Sequence, residues 1–121
     1  MRFGPSWVES VIIKNHPRWR DVMDVTILLG SSSDLPIAQK CTKILEHFDV
    51  PYQLRVASAH RSPKFVEQIV GDAIDDGCSV FIAMAGLAAA LPGAVAALTT
   101  KPVIGVPCGG RVPYDSLLSI A

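Results

Sequence analysis

Four short runs of β-forming residues alternate with stretches of helical or small-residue pattern, and that alternation restricts the chain to very few folds. The runs are Val25–Leu29, Tyr52–Val56, Val80–Met84 and Pro102–Val106. Val25–Leu29 and Val80–Met84 are apolar enough to be buried, as strands of a parallel sheet are. Between the first two, Ile37, Cys41, Ile44, Leu45 and Phe48 recur at three- and four-residue steps, the spacing of one face of a helix from Leu35 to Phe48. Asp34 precedes it as an N-cap and Pro36 falls in its first turn. A second helix begins at Pro63, with Ser62 as its cap and Phe65, Val66, Ile69, Val70 and Ala73 on one face. Asp75, Asp76 and Gly77 end it. The third connection, Ala85–Leu98, is rich in alanine, and Pro92 either begins its helix or kinks it.

Strand and helix in alternation require crossover connections and a parallel sheet covered on both faces. The expected fold is α/β, a three-layer αβα parallel sheet of the flavodoxin-like type, with four strands visible. Such a sheet usually has about five strands. The 121 residues fit one domain, and the apolar half of the composition supplies its core. Residues 1–22 lack the regular pattern, although the run Val8–Ile13 is compatible with a strand. They are read as a poorly ordered leader, and residues 23–121 as the domain. A helix or loop is expected from Tyr114 to Ala121, where the chain stops in mid-element.

Charge and cysteine content exclude several functions. Eleven basic and eleven acidic residues cancel, leaving no electrostatic footprint for nucleic acid or an anionic membrane. No apolar run reaches the roughly 18 residues of a membrane span, and no signal peptide opens the chain. The cytoplasm is the expected location. Cys41, Cys78 and Cys108 have neither the number nor the spacing of a disulfide framework or zinc site. All three are read as small buried hydrophobes.

A ligand of an open parallel sheet binds outside the carboxyl ends of the strands. Four loops fall there, and they hold nearly all the unusual polar and glycine residues. Gly30–Asp34 (GSSSD) ends at a helix N-terminus, where backbone N–H groups and the helix dipole favour an anion. It is equally the sequence of a capped turn. Ser58, His60, Arg61 and Ser62 occupy the second loop. Histidine exchanges protons near neutral pH, and arginine presents a fork that matches phosphate. A surface histidine and a solvated arginine satisfy the same residues. The third loop, Ala85–Gly93, offers backbone and close packing alone. In the fourth, Arg111 and Asp115 read as solvated. His16 and His47 are read as structural.

Taken together, GSSSD (Gly30–Asp34), SAHRSP (Ser58–Pro63), AGLAAALPG (Ala85–Gly93), KPVIGVP (Lys101–Pro107) and DSLLSI (Asp115–Ile120) resemble the aminoimidazole ribonucleotide carboxylase family, which includes N5-carboxyaminoimidazole ribonucleotide mutase. The resemblance runs from Asp24 to Ala121 and implies an enzyme of purine biosynthesis. The reaction would carry N5-carboxyaminoimidazole ribonucleotide to 4-carboxy-5-aminoimidazole ribonucleotide by carboxyl transfer. Direct carboxylation of aminoimidazole ribonucleotide with carbon dioxide is the alternative. A non-catalytic nucleotide- or phosphate-binding module, or an inactive fragment, is the reading from another class.

The resemblance also implies roles. His60 would be the catalytic acid and base. Ser31, Asp34 and Arg61 would bind the ribonucleotide, with Ser33 and Ser58 nearby. Gly86 would let the base approach closely. The family implies no metal and no organic cofactor, and a homo-oligomer, usually an octamer. Many bacterial mutases carry histidine before LPG, where this chain has Ala90, so His60 is the lone histidine of these motifs. Family members also continue past the DSLLSI-like stretch with a strand, a Met-Pro-rich segment and a helix. The domain is therefore expected to be incomplete at its C-terminus.

Overall fold

The computed structural model describes residues 12–15, 24–86 and 90–108. Expectations about Arg111, Asp115 and the Tyr114–Ala121 element lie outside the described residues. Five strands form one sheet: β1 (Ile12–Asn15), β2 (Val25–Leu29), β3 (Tyr52–Val56), β4 (Val80–Ala85) and β5 (Val103–Pro107). The order is β1-β3-β2-β4-β5. β2 pairs in parallel with both β3 and β4, and β4 with β5. These four are the strands expected from the sequence. β1, which overlaps the strand-compatible run Val8–Ile13 at Ile12 and Ile13, lies antiparallel on β3, with Ile12 opposite Arg55 and Asn15 opposite Tyr52. Its residues fall in the stretch read as a leader. An antiparallel strand needs no crossover, so the free edge of β3 can be capped by a segment that precedes the regular pattern.

Three helices connect the parallel strands: α1 (Leu35–His47), α2 (Pro63–Asp75) and α3 (Leu91–Ala96). Pro92 stands in the first turn of α3, so it begins that helix rather than kinking it. The two-residue period of the strands divides the core. Val25, Ile27 and Leu29 of β2 join Tyr52, Leu54, Val56 and Met84 in a cluster against Ala38 of α1. Leu28, Phe81 and Ala83 face the other way, against Val66, Ile69, Val70 and Ala73 of α2 and Leu91 and Val95 of α3. Helices thus cover both faces of a central sheet, as three layers require.

The inner face of α1 differs from the expectation. Ala38 and Thr42 are its buried residues, while Ile44 and Phe48 are 61% and 68% exposed. Leu35, Ala38, Thr42 and Leu45 repeat at three- and four-residue steps and meet the sheet. Ile37 and Cys41 are half-buried and pack against the same cluster, as expected, whereas Ile44 and Phe48 continue their row into solvent. One helix resting on a flat sheet buries one row, and the small residues Ala38 and Thr42 allow the closest approach there.

Both long helices stop in the same way. Beyond α2, Gly77 has φ 91, Gly77 N–H donates to Ile74 at 3.0 Å and Cys78 N–H donates to Ala73 at 2.9 Å. Beyond α1, Asp49 takes the left-handed position with φ 55, and Val50 N–H donates to Leu45 at 2.9 Å. These are the paired bonds that satisfy the last carbonyls of a helix.

Candidate active site

The parallel strands run β3-β2-β4-β5, so the chain leaves β2 in one direction and returns to β4 in the other. The crevice at such a reversal is where a ligand can reach between loops. Here the crevice opens beyond Leu29 and Ala85. Sheet pairing continues one residue past the ends of β2, β3 and β5. Gly30 N–H donates to Met84 at 2.9 Å, Ala57 N–H to Leu29 at 2.8 Å and Cys108 N–H to Ala85 at 2.9 Å. The loops therefore depart from a rigid rim.

The first loop folds as a single 3-10 turn, Ser32–Asp34. Ser31 caps it: its extended backbone lets Oγ accept from Ser33 N–H at 3.2 Å, and the two hydroxyls bond at 2.9 Å. This corrects the expected cap. Asp34 stands at the N-cap position of α1, but its backbone is helical and its side chain makes no capping bond. The turn has already aligned Asp34 with the helix, and the Ser31 hydroxyl answers the turn's N–H. The Asp34 carboxylate is left for other work. Ser62 likewise occupies the cap position of α2 without a side-chain bond. In that loop Ser58 does the local work, its Oγ accepting from Arg61 N–H at 3.2 Å and its carbonyl from Ser62 N–H at 2.9 Å.

Two adjoining cavities line this rim, and both are bordered by Gly30, Ser31 and Ser58. One, of about 340 Å³, is walled by Ser31, Ser32, Ser58, Ser62 and Arg61. Hydroxyls, one guanidinium and the amino end of α2 meet there, a setting suited to an anion. The other, of about 140 Å³, is walled by Ser31, Asp34, Ser58, His60, Gly86 and Ala90, among others. His60 is exposed at its mouth, so its imidazole can meet both a ligand and solvent.

Six of the seven expected site residues thus border the paired cavities: Ser31, Asp34, Ser58, His60, Arg61 and Gly86. Ser33 borders neither and instead bonds to Ser31. Among the described residues, no cluster of His, Cys, Asp and Glu could hold a metal ion. No helix among them is long and apolar enough to cross a membrane.

Burial raises the Asp34 carboxyl above the usual carboxylate range, and a hydrogen bond with the Cys108 thiol opposes the rise. Cys108 is itself pushed up to about 11, first by burial and then by the neighbouring Asp34 charge. Cys78 and Cys108 are buried, as expected, and Cys41 is half-buried. The expectation missed the polar contact of Cys108. Its position, one residue past a strand end in a rim loop, was the available signal.

Known proteins resemble this chain in sequence and in fold. The N5-carboxyaminoimidazole ribonucleotide mutase of Methanocaldococcus jannaschii is 55% identical over 96 residues, 78% of this chain and 59% of that protein. A phosphoribosylaminoimidazole carboxylase of Candida glabrata is 47% identical over 98 residues, 79% of this chain and 17% of that protein. The crystal structure of Treponema denticola PurE superimposes with a TM-score of 0.72 at 31% identity, covering 78% of this chain and 63% of that one. The chain therefore spans about three fifths of the length of the Methanocaldococcus relative and of the Treponema chain. A family model described as AIR carboxylase matches residues 24–121, which hold every described strand but β1 and all four rim loops, and on that match the chain belongs to the AIR carboxylase family.

Proposed function

We propose that this chain acts in purine biosynthesis, converting N5-carboxyaminoimidazole ribonucleotide to 4-carboxy-5-aminoimidazole ribonucleotide. The observation that carries the reading is the shared cavity wall of His60, Ser31, Asp34, Ser58 and Gly86, beside the hydroxyl-lined cavity of Arg61. The 5′-phosphate occupies the larger cavity, on Arg61 and the amino end of α2. Asp34 accepts hydrogen bonds from ribose hydroxyls. The imidazole base lies near Gly86, within reach of His60.

His60 starts as the imidazolium. It donates a proton to the ring-bound nitrogen as the nitrogen–carboxyl bond breaks, releasing carbon dioxide and neutral aminoimidazole ribonucleotide. Carbon 4 then attacks carbon dioxide and forms the new carbon–carbon bond. Neutral His60 removes the proton left on carbon 4, which restores the ring's aromaticity and the imidazolium. One residue serves both transfers, and proton and charge balance over the cycle.

A second reading, direct carboxylation of aminoimidazole ribonucleotide by carbon dioxide, draws support from the carboxylase name of the Candida glabrata relative. It enters the same sequence at the second step. A cytoplasmic location and a homo-oligomeric assembly belong to this proposal as well.

A turnover assay offering each substrate to the purified chain tests it. Interconversion of the two carboxylated ribonucleotides supports the mutase, and product from aminoimidazole ribonucleotide and bicarbonate alone supports the carboxylase. His60→Asn should lower turnover by about 100-fold or more, the contribution of a positioned acid and base, with ribonucleotide binding retained. Binding without either conversion in the unmodified chain overturns the enzymatic reading.

A further inference from the structure

Three consecutive serines stand in the first rim loop, and the structure gives them different surroundings. Ser31 borders both cavities, and Ser32 borders the larger one. Ser33 borders neither. Its polar groups meet Ser31 instead: the two hydroxyls lie 2.9 Å apart, and Ser33 N–H donates to Ser31 Oγ at 3.2 Å. The backbone of Ser31 is tied as well. It follows Gly30, whose N–H donates to Met84, and its own carbonyl accepts from Asp34 N–H at 3.1 Å.

A serine hydroxyl has one hydrogen to donate and two lone pairs with which to accept. Ser33 N–H fills one lone pair of Ser31 Oγ. The hydroxyl pair then has two arrangements. In one, Ser31 donates to Ser33 and its hydrogen is spent inside the loop. In the other, Ser33 donates to Ser31, both lone pairs of Ser31 are filled, and the Ser31 hydrogen is free for a ligand. An anion such as phosphate offers acceptors, so it selects the second arrangement. The bond from Ser33 also polarises the Ser31 hydroxyl and strengthens the bond it makes in turn. In the larger cavity Ser31 shares the wall with Arg61, whose charge attracts an anion there.

We propose that Ser33 is a positioning residue that acts through Ser31: its hydroxyl donates to Ser31 Oγ, and Ser31 donates to a phosphate oxygen of the ribonucleotide. This rests on the ribonucleotide reading above. Ser33 touches neither the ligand nor the reacting atoms. It sets Ser31 as a donor, so the pair favours the phosphorylated ligand over the same nucleoside without its phosphate. Its effect falls on binding rather than on proton transfer at His60.

Four variants of the full chain isolate the pair: Ser33→Ala, Ser33→Thr, Ser31→Ala, and the double variant carrying Ser31→Ala and Ser33→Ala. Each is titrated with 4-carboxy-5-aminoimidazole ribonucleotide, with the corresponding nucleoside and with inorganic phosphate. Ser31→Ala should weaken ribonucleotide binding by about tenfold, the scale of one hydrogen bond to a charged group. Ser33→Ala removes the hydroxyl and keeps the N–H. It should weaken ribonucleotide binding by about threefold, as suits a neutral bond that orients another, with KM following Kd and kcat changing less. Ser33→Thr returns the hydroxyl and should restore the affinity. In the Ser31→Ala background, Ser33→Ala should cost nothing further, since no hydroxyl is left to act through. Nucleoside affinity should hold in Ser33→Ala, and so should its urea midpoint, because Ser33 is exposed.

An equal loss from Ser33→Ala with and without the Ser31 hydroxyl overturns the proposal, because Ser33 would then act by another route. So does a ribonucleotide affinity that Ser33→Ala leaves unchanged, or a loss that the nucleoside shares in full. If inorganic phosphate shows the coupling and the ribonucleotide does not bind, the functional reading fails while the hydroxyl pair stands. If neither binds, both fall.

Discussion

Gly30 N–H donates to the Met84 carbonyl at 2.9 Å, which joins the ends of β2 and β4 at the point where both cavities begin. A Cβ added at Gly30 would sit 3.3 Å from the Ala85 Cβ. That contact is tight, and both partners are held by sheet pairing.

Gly30→Ala should therefore lose stability by about 1 kcal/mol through overpacking alone. Among the described glycines Gly77 is the one with positive φ, so no backbone strain adds to the cost. Ribonucleotide affinity should fall with it, because the new methyl group disturbs the rim of both cavities. Urea midpoints and a binding titration check the pair of effects. Unchanged midpoints would mean that the β4 end yields more easily than its pairing implies.

The two helix ends predict changes of opposite sign. Asp49→Gly should stabilise the fold by about 0.5 kcal/mol, since glycine adopts the left-handed region without a Cβ penalty. Gly77→Ala should destabilise it by about 1 kcal/mol for the same reason. Thermal melts of the two variants, run side by side, read both shifts.

Tyr52 predicts an alkaline limb. Its side chain is 2% exposed and its hydroxyl donates to Glu46. Burial first, and then the bond to Glu46, push the phenol from 10.0 up to about 12. Between those values the unfolded chain ionises before the folded one, so the folded state holds more protons and stability falls as pH rises. Below pH 10 the contribution is fully present. Tyr52→Phe should flatten this limb and lose about 1 kcal/mol at neutral pH with the hydrogen bond. Denaturant midpoints from pH 9 to pH 12 test it.

Asp34 predicts the reverse cost, that of keeping a binding group. Its carboxyl is raised above 3.8, chiefly by burial, so the folded chain again holds the proton more tightly. Its contribution to stability is then fully present below 3.8 and is lost as pH rises through the raised value. Asp34→Asn should make the free protein more stable at neutral pH while weakening ribonucleotide binding. A variant that loses stability at pH 7 would show that the carboxylate does structural work at the rim.

The strands and helices were legible in the residues because their cause is local. Val25–Leu29 and Val80–Met84 carry enough β-forming apolar residues to be read as buried strands, and Val66, Ile69, Val70 and Ala73 name their own helix face. The rim loops were legible too, since a parallel sheet sends every strand-to-helix connection to one end. Other features needed three dimensions. The apolar pattern of α1 contains two adjacent rows, and contact with the sheet selected Ala38 and Thr42 over Ile44 and Phe48. The open edge of β3 recruited Ile12–Asn15, whose surroundings carry no regular pattern. Asp34, His60 and Gly86 are remote in sequence and lie in three different rim loops. They border one cavity because β2 lies between β3 and β4 in the sheet, and proximity of this kind is a distance in space, which no run of adjacent residues encodes.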